Sequence, residues 1–265
     1  MDIGITDFYG FYEPYKTRLN KIKANNFTYV LMSNDKRYKK QNGSLKNRVK
    51  YAKKIGLKLS SLHASYDGTL PLFNLKGKIG DKIERLLKKE AKLASKYGFK
   101  NLVVHIEGDP SEILLQRINR ILKVCEKYKV NFALENLERK EIFDFVEHNI
   151  KNQMLKFCYD SGHHNCFCKD KEFFPEYTDK LTCVHLHDNN AKLDQHIPFE
   201  CGGNIDITKL SKDLAKTSIN CLDFEILPKI LNLNPDELLK KVYENGVLLS
   251  NLINNFRQKN KIAQN

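Results

Sequence analysis

Residues 181–206 read LTCVHLHDNNAKLDQHIPFECGGNID, and five side chains there (His185, His187, Asp188, Asp194 and His196) offer imidazole or carboxylate within twelve residues. These are donor types that zinc and manganese accept. The apolar run Leu181, Cys183, Val184, Leu186 reads as a buried strand ending in the cluster, and Gly202-Gly203 then turns the chain into a helix opened by Ile205-Asp206. A metal site at the rim of a sheet has this form. So does a polar loop whose histidines make ordinary hydrogen bonds, and the remaining strand ends must decide between them.

Those ends carry the same chemistry. His63 closes one apolar run, His105 sits in NLVVHI and Glu135 ends VNFALE. Asp160 ends LKFCYD with His163 three residues on, and Glu225 lies in CLDFEIL. Of the eight histidines, six (His63, His105, His163, His185, His187 and His196) fall at strand ends or in the loops after them. His148 sits on a helix, and His164 is a neighbour of His163. A carboxylate inside an apolar strand needs a counter-charge. A salt bridge to lysine or arginine is the simpler partner, but the runs around Glu135 and Glu225 contain no basic residue. Shared divalent ions satisfy the whole set at once.

The elements that must position these groups alternate. Strands are predicted over 3–5, 27–32, 57–63, 101–106, 130–135, 155–160, 181–187 and 221–227. Helices are predicted over 14–24, 44–55, 80–97, 141–149, 207–216 and 236–256, with another starting at Pro110-Ser111. In the 80–97 helix Ile83, Leu86, Leu87, Ala91 and Ala94 recur at three- and four-residue spacing, and Gly98 stops it. Near-continuous apolar strands suit a parallel sheet covered on both faces. Eight strand-then-helix units close most naturally as a (β/α)8 barrel, a TIM barrel, whose strand carboxyl ends share one face. The alternative, an open doubly wound sheet, lacks its GxGxxG after the first strand. With 265 residues and no Pro/Ser-rich linker, residues 1–265 read as one domain.

Composition narrows the partners. The formal net charge of +13 comes mostly from lysines scattered over the helices, which suits attraction to anionic small substrates at least as well as to nucleic acid. Seven cysteines, an odd number and several in apolar runs, argue against a disulfide framework. Cys166 and Cys168 have no second cysteine pair nearby and read as structural. No signal sequence opens the chain and no apolar run approaches the ~20 residues that span a bilayer, so a cytoplasmic protein without a membrane partner is expected.

The segments LHASYDG, LVVHIEGD, FALENLE, FCYDSGHHN, VHLHDNNAKLDQHIPFECGGNID and FEIL, over about residues 57–227, resemble the xylose-isomerase-like barrels. That group includes the sugar phosphate isomerases/epimerases and the endonuclease IV type of abasic-site nuclease. The resemblance implies that Glu135, Asp160, His185 and Glu225 ligate one ion, with Glu135 and Glu225 also moving protons to and from carbon. In the trinuclear members His63 and His105 hold a second ion bridged by Glu135, and His163, Asp194 and His196 a third. The cofactor expected is zinc or manganese, one to three ions per chain.

Two functions follow from the resemblance. The first is a metal-dependent isomerase or epimerase of a sugar or sugar phosphate, in which His187 and Lys192 hold a hydroxyl or phosphate near the rim and Tyr66 forms pocket wall. The alternative is metal-dependent hydrolysis of the phosphodiester at abasic DNA, with Tyr66 as a stacking wedge. The short LERKEIF after the fifth strand and the opening TDFYGFYEPY fit the nuclease poorly. A metal-holding barrel without turnover is disfavoured by the presence of both acid-base carboxylates. Specificity is assigned to loops 7–16, 33–43, 66–79 and 165–178, and no feature predicts an oligomeric state.

Overall fold

The computed structural model describes residues 1–34, 42–65, 76–227 and 232–263. Eight strands are present: β1 (Asp2–Thr6), β2 (Tyr29–Ser33), β3 (Lys58–His63), β4 (Asn101–Val104), β5 (Asn131–Glu135), β6 (Leu155–Asp160), β7 (Leu181–His185) and β8 (Cys221–Phe224). They form one parallel sheet in the order β7-β6-β5-β4-β3-β2-β1-β8. A bridge between Leu186 and Phe224, with Leu186 N donating to Asp223 O (2.8 Å) and Glu225 N to Leu186 O (3.2 Å), joins the two ends. The result is a (β/α)8 TIM barrel.

The helices among the described residues are α1 (Tyr15–Ala24), α2 (Leu45–Lys54), α3 (Lys78–Tyr97), α4 (Glu112–Tyr128), α5 (Lys140–Asn149), α6 (Ser161–Phe167), α7 (Ile207–Ala215) and α8 (Pro235–Ala263). Local chemistry sets their ends. Ser44, Ser111 and Asp206 each accept a hydrogen bond from a first-turn backbone N–H, and Gly98 ends α3 in the left-handed region at φ +88°. α3 buries Ile83, Leu87, Ala91 and Ala94 as its spacing predicts. None of the helices is long and apolar enough to cross a membrane.

Alternation along the strands separates two cores. Leu102, Val104, Phe132, Leu134, Phe157, Tyr159, Val184, Leu222 and Phe224 belong to the large core that includes the helices. Val103, Ala133, Cys158 and Cys183 form a separate cluster. They stand two residues before His105, Glu135, Asp160 and His185, and side chains two apart on a strand share a face. The small inner cluster is therefore the layer of the barrel interior on which the candidate site rests. Three predicted strands stop before their expected ends: β4 at Val104, β7 at His185 and β8 at Phe224, so His105 and Glu225 lead the following loops. The short helix α6 was not predicted. Its N-cap is Asp160, whose side chain accepts from His163 N at 2.6 Å.

Candidate metal centre

Nine of the predicted site residues converge at the carboxyl ends of the strands, and three groups of donors take in all nine, the first two sharing Glu135; His63 also lies within reach of His185 and Glu225. Donor atoms of Glu135, Asp160, His185 and Glu225 all lie within 4.8 Å of one another, and so do those of His63, His105 and Glu135. A third group joins His163, Asp194 and His196 to His187. Glu135 sits at the centre. One carboxylate oxygen lies 3.1 Å from His105 Nε2 and 3.5 Å from His63 Nε2, and the other 3.2 Å from His185 Nδ1 and 3.3 Å from His163 Nδ1.

The remaining predicted residues fall elsewhere. His187 is not on a solvated rim; it is fully buried beside Asp160. Lys192 is exposed on the loop after β7 and joins none of the three groups. Tyr66 lies outside the described residues. Asp188 is a loop organiser: its Oδ1 accepts from the backbone N–H groups of Asn189 (2.8 Å), Asn204 (3.1 Å) and Ile205 (3.1 Å). A Cβ on Gly203 would collide with that carboxylate, and Gly202 takes a left-handed φ of +96°, so each of the two glycines has its own reason. Asp188→Ala leaves the N–H groups of Asn189 and Ile205 short of an acceptor, while Asn204 N still donates to Asn189 O (3.0 Å). At about 1–3 kcal/mol for each buried donor that stays unsatisfied, we expect a loss on the order of 3 kcal/mol in urea unfolding, with release of any ion held by the loop.

Other positioning groups were invisible in the sequence. Asn136 zips β5 to β6: its Oδ1 accepts from Asp160 N (2.7 Å) and its Nδ2 donates to Asp160 O (2.9 Å). Glu90, buried on α3, accepts from Ser65 N (3.0 Å) and Asn34 Nδ2 (2.7 Å), fastening the segments that follow β3 and β2. Arg48 and Asp7 form a buried ion pair at 2.6 Å beside the site.

Divalent ions fit this arrangement. His63, His163 and His196 each donate Nδ1–H to a backbone carbonyl, of Ala64 (2.9 Å), Asn136 (3.1 Å) and Glu225 (2.9 Å). That occupies Nδ1 and leaves Nε2 as the nitrogen of each ring that faces the cluster, as metal-binding histidines require. His63 Nε2 and His105 Nε2 lie 3.2 Å apart. Among the described residues every ion pair made by Glu135, Asp160, Asp194 and Glu225 is to a histidine, never to lysine or arginine. His185 Nε2 is buried with no hydrogen-bond partner.

Two cavities open onto the centre. One, of about 290 Å³, is lined by His63, His105, His163, Asp194, His196 and Glu225, together with Asp7, Phe8 and Arg48. The other, of about 400 Å³, shares His105 and is walled by Ile106, Leu137, Arg139 and Phe167.

The sequence profile of the xylose isomerase-like TIM barrels matches residues 19–241. The chain belongs to that family. The xylose isomerase-like barrel superimposes on a D-tagatose 3-epimerase-like protein with a TM-score of 0.78 and 16% identity, covering 98% of this chain and 99% of that one. An L-ribulose 3-epimerase gives 0.76 and 16%, covering 100% and 99%. A sugar phosphate isomerase/epimerase from Parabacteroides distasonis gives 0.75 and 15%, covering 93% and 97%. At these identities the likeness is one of fold. An uncharacterised protein of Methanocaldococcus jannaschii is 31% identical over 107 residues, which span 39% of this chain and 42% of that protein.

In this xylose isomerase-like barrel the protons of the metal-free centre follow the carboxylates. Burial works against a charged imidazole at His163, His185 and His196, but Glu135, Asp160, Asp194 and Glu225 outweigh it. His163 and His185 are raised well above the ordinary value, and His196 to about 9. Burial likewise opposes ionisation of Glu135, Glu225 and Asp194, yet the neighbouring imidazoles hold all three below the usual carboxylate range. Asp223, inside the barrel two residues before Glu225, is pushed up to about 6 by burial.

Proposed function

We propose that the chain is a metal-dependent isomerase or epimerase of a sugar or sugar phosphate. The reading rests on one observation: Glu135 and Glu225 converge with Asp160 and His185 while no lysine or arginine pairs with either glutamate among the described residues. Two of the fold neighbours, a D-tagatose 3-epimerase-like protein and an L-ribulose 3-epimerase, agree with it. A divalent ion held by these four side chains would polarise the carbonyl and hydroxyl oxygens of a ketose and so acidify the adjacent C–H.

The protein groups do the rest. Glu225 lines the smaller cavity, and its carboxylate, kept ionised by His185, takes the proton from the carbon beside the carbonyl. Glu135, buried against the floor and held ionised by the imidazoles around it, is the second carboxylate; it would first take up a proton relayed from solvent through those facing imidazoles and then deliver it to the other side of the carbon. His185 Nδ1 lies 3.2 Å from Glu135 and 3.1 Å from Glu225, so it fixes the spacing of the two carriers. The Arg48–Asp7 pair and Phe8 line the same cavity.

A second reading, hydrolysis of the phosphodiester at abasic DNA, is favoured by a separate observation. Both oxygens of Glu135 are engaged by imidazoles, and a carboxylate bridging two ions is a poor proton carrier. Three donor groups also exceed what a one-ion epimerase uses. One experiment tests both. The protein loaded with zinc or manganese is incubated in deuterated water with a panel of ketoses and ketose phosphates, and in parallel with an abasic-site duplex at varied salt. We expect solvent deuterium at the carbon next to the carbonyl, reduced by about 10²–10⁴-fold in Glu225→Gln. Exchange that survives Glu225→Gln, or cutting of the duplex without exchange into any ketose, overturns the first reading.

A further inference from the structure

We infer that His187 is a positioning residue that locks the first donor group to the third, rather than a contact for substrate. This inference builds on the metal-centre reading above but not on which reaction the centre performs. The His187 ring is fully buried, and its Nε2 lies 3.0 Å from one oxygen of Asp160 and 3.2 Å from the other. Its Nδ1 is buried with no hydrogen-bond partner among the described residues. A neutral imidazole carries its proton on the nitrogen that has an acceptor, so His187 donates Nε2–H to Asp160. The lone pair left on Nδ1 costs less than a buried orphan N–H would.

Asp160 belongs to the Glu135, His185 and Glu225 group. The opposite connection is a ring stack. His187 lies on His196 with centroids 3.9 Å apart and planes inclined by 14°. Two imidazoles stacked face to face keep their in-plane lone pairs in separate, nearly parallel planes, so both cannot address one ion in plane. His196 Nε2 is the one that meets Asp194, at 2.9 Å, whereas His187 Nε2 stands 3.8 Å from Asp194. His196 is therefore the donor and His187 the plate that holds it.

The backbone supports the same role. Ser161 Oγ donates to His187 O (2.7 Å) and accepts from His187 N (3.1 Å), fixing the residue from α6. A Cβ on Gly162 would run into the His187 ring, so the glycine between Asp160 and His163 is the space the ring occupies. One side chain thus touches a donor of each of two groups. Outer partners of this kind typically change metal affinity by about 10–100-fold when removed.

The test separates the hydrogen bond from the stack. His187→Gln keeps an N–H for Asp160 and loses the plate; His187→Phe keeps a plate and loses the N–H. Equilibrium dialysis with zinc, and with cobalt for its absorption spectrum, reads the ions without any substrate. Thermal melts of the metal-free proteins check folding. We expect His187→Phe to weaken the ion on Asp160 by about 10–100-fold, and His187→Gln to spare that ion while weakening the one on His163, Asp194 and His196. Wild-type metal affinity in both folded variants overturns the inference. So does a rise in KM with metal content unchanged, which is the signature of a substrate contact. Failure of every ketose and of the abasic duplex would sink the proposed reactions yet leave the dialysis result standing.

Discussion

Glu135→Gln is expected to empty two donor groups at once and to lower turnover by about 10³-fold or more, whichever reaction the centre performs. The carboxylate has no free side. Its two oxygens face the nitrogens of His63, His105, His163 and His185 at 3.1 to 3.5 Å, and the residue is shared by the first and second groups. Glutamine keeps the shape but removes the charge, and it turns an N–H₂ toward imidazoles that need an acceptor or an ion. Removing an outer partner already costs about 10–100-fold in metal affinity, so losing a shared donor should cost more than that at both groups. Glu225→Gln is the contrast. Glu225 takes no part in the His63, His105 and Glu135 group, so the variant should lose one ion and retain the second. Elemental analysis after desalting, alongside kcat/KM, reads both outcomes. An ion content in Glu135→Gln equal to that of Glu225→Gln would show that Glu135 is not shared.

The barrel was legible because each strand is short and apolar, and because a predicted helix follows every strand but the sixth. His63, His105, Glu135, Asp160, His185 and Glu225 all stand at the ends of their runs. Placing residues two apart on one face is enough to aim them together once the sheet is known to close. What was not legible depends on which strand ends become neighbours. Asn136 reads as an ordinary loop amide until β6 lies beside β5 and Asp160 offers both of its backbone groups. Glu90 reads as one more charge on a helix until α3 brings it under Ser65 and Asn34.

The run 181–187 ends on His187 and so places it near the rim. The strand stops at His185, and Leu186 turns to bridge Phe224. His187 then faces inward against α6, an element that no pattern announced, since seven residues give too few turns for a periodic apolar stripe. Strand ends at His105 and Glu225 were overshot for a related reason. Apolar residues such as Ile106 and Ile226 remain buried beyond the last ladder pair, and burial alone extends a run that hydrogen bonding has already ended.

Loading the centre with metal should release protons, and the apparent affinity should rise with pH up to about 9. In the metal-free protein His163, His185 and His196 are raised by the facing carboxylates, the last to about 9, while Glu135, Asp194 and Glu225 are depressed. At neutral pH the empty cluster is thus a network of imidazolium and carboxylate. For a histidine whose folded value is raised, the stabilisation is fully present below the unfolded value of about 6.5 and is lost as pH climbs through the folded value. For the depressed carboxylates it is present above their unfolded values near 4 and lost in acid. The metal-free fold should accordingly be most stable between roughly pH 4.5 and 6.5 and should weaken toward pH 9. An incoming ion needs the Nε2 lone pair of His196 and must expel its proton, so affinity moves the opposite way. Each proton displaced gives about a tenfold gain per pH unit, or about 100-fold between pH 7 and 9. Titration calorimetry at pH 7 in buffers of different ionisation enthalpy should therefore give heats that scale with the buffer, corresponding to about one proton or more per ion at the His163, Asp194 and His196 group. Above pH 9.5 that dependence should vanish. Buffer-independent heats at pH 7, or an affinity flat from pH 6 to 9, would mean that the imidazoles are already neutral and that the carboxylates do not hold their protons.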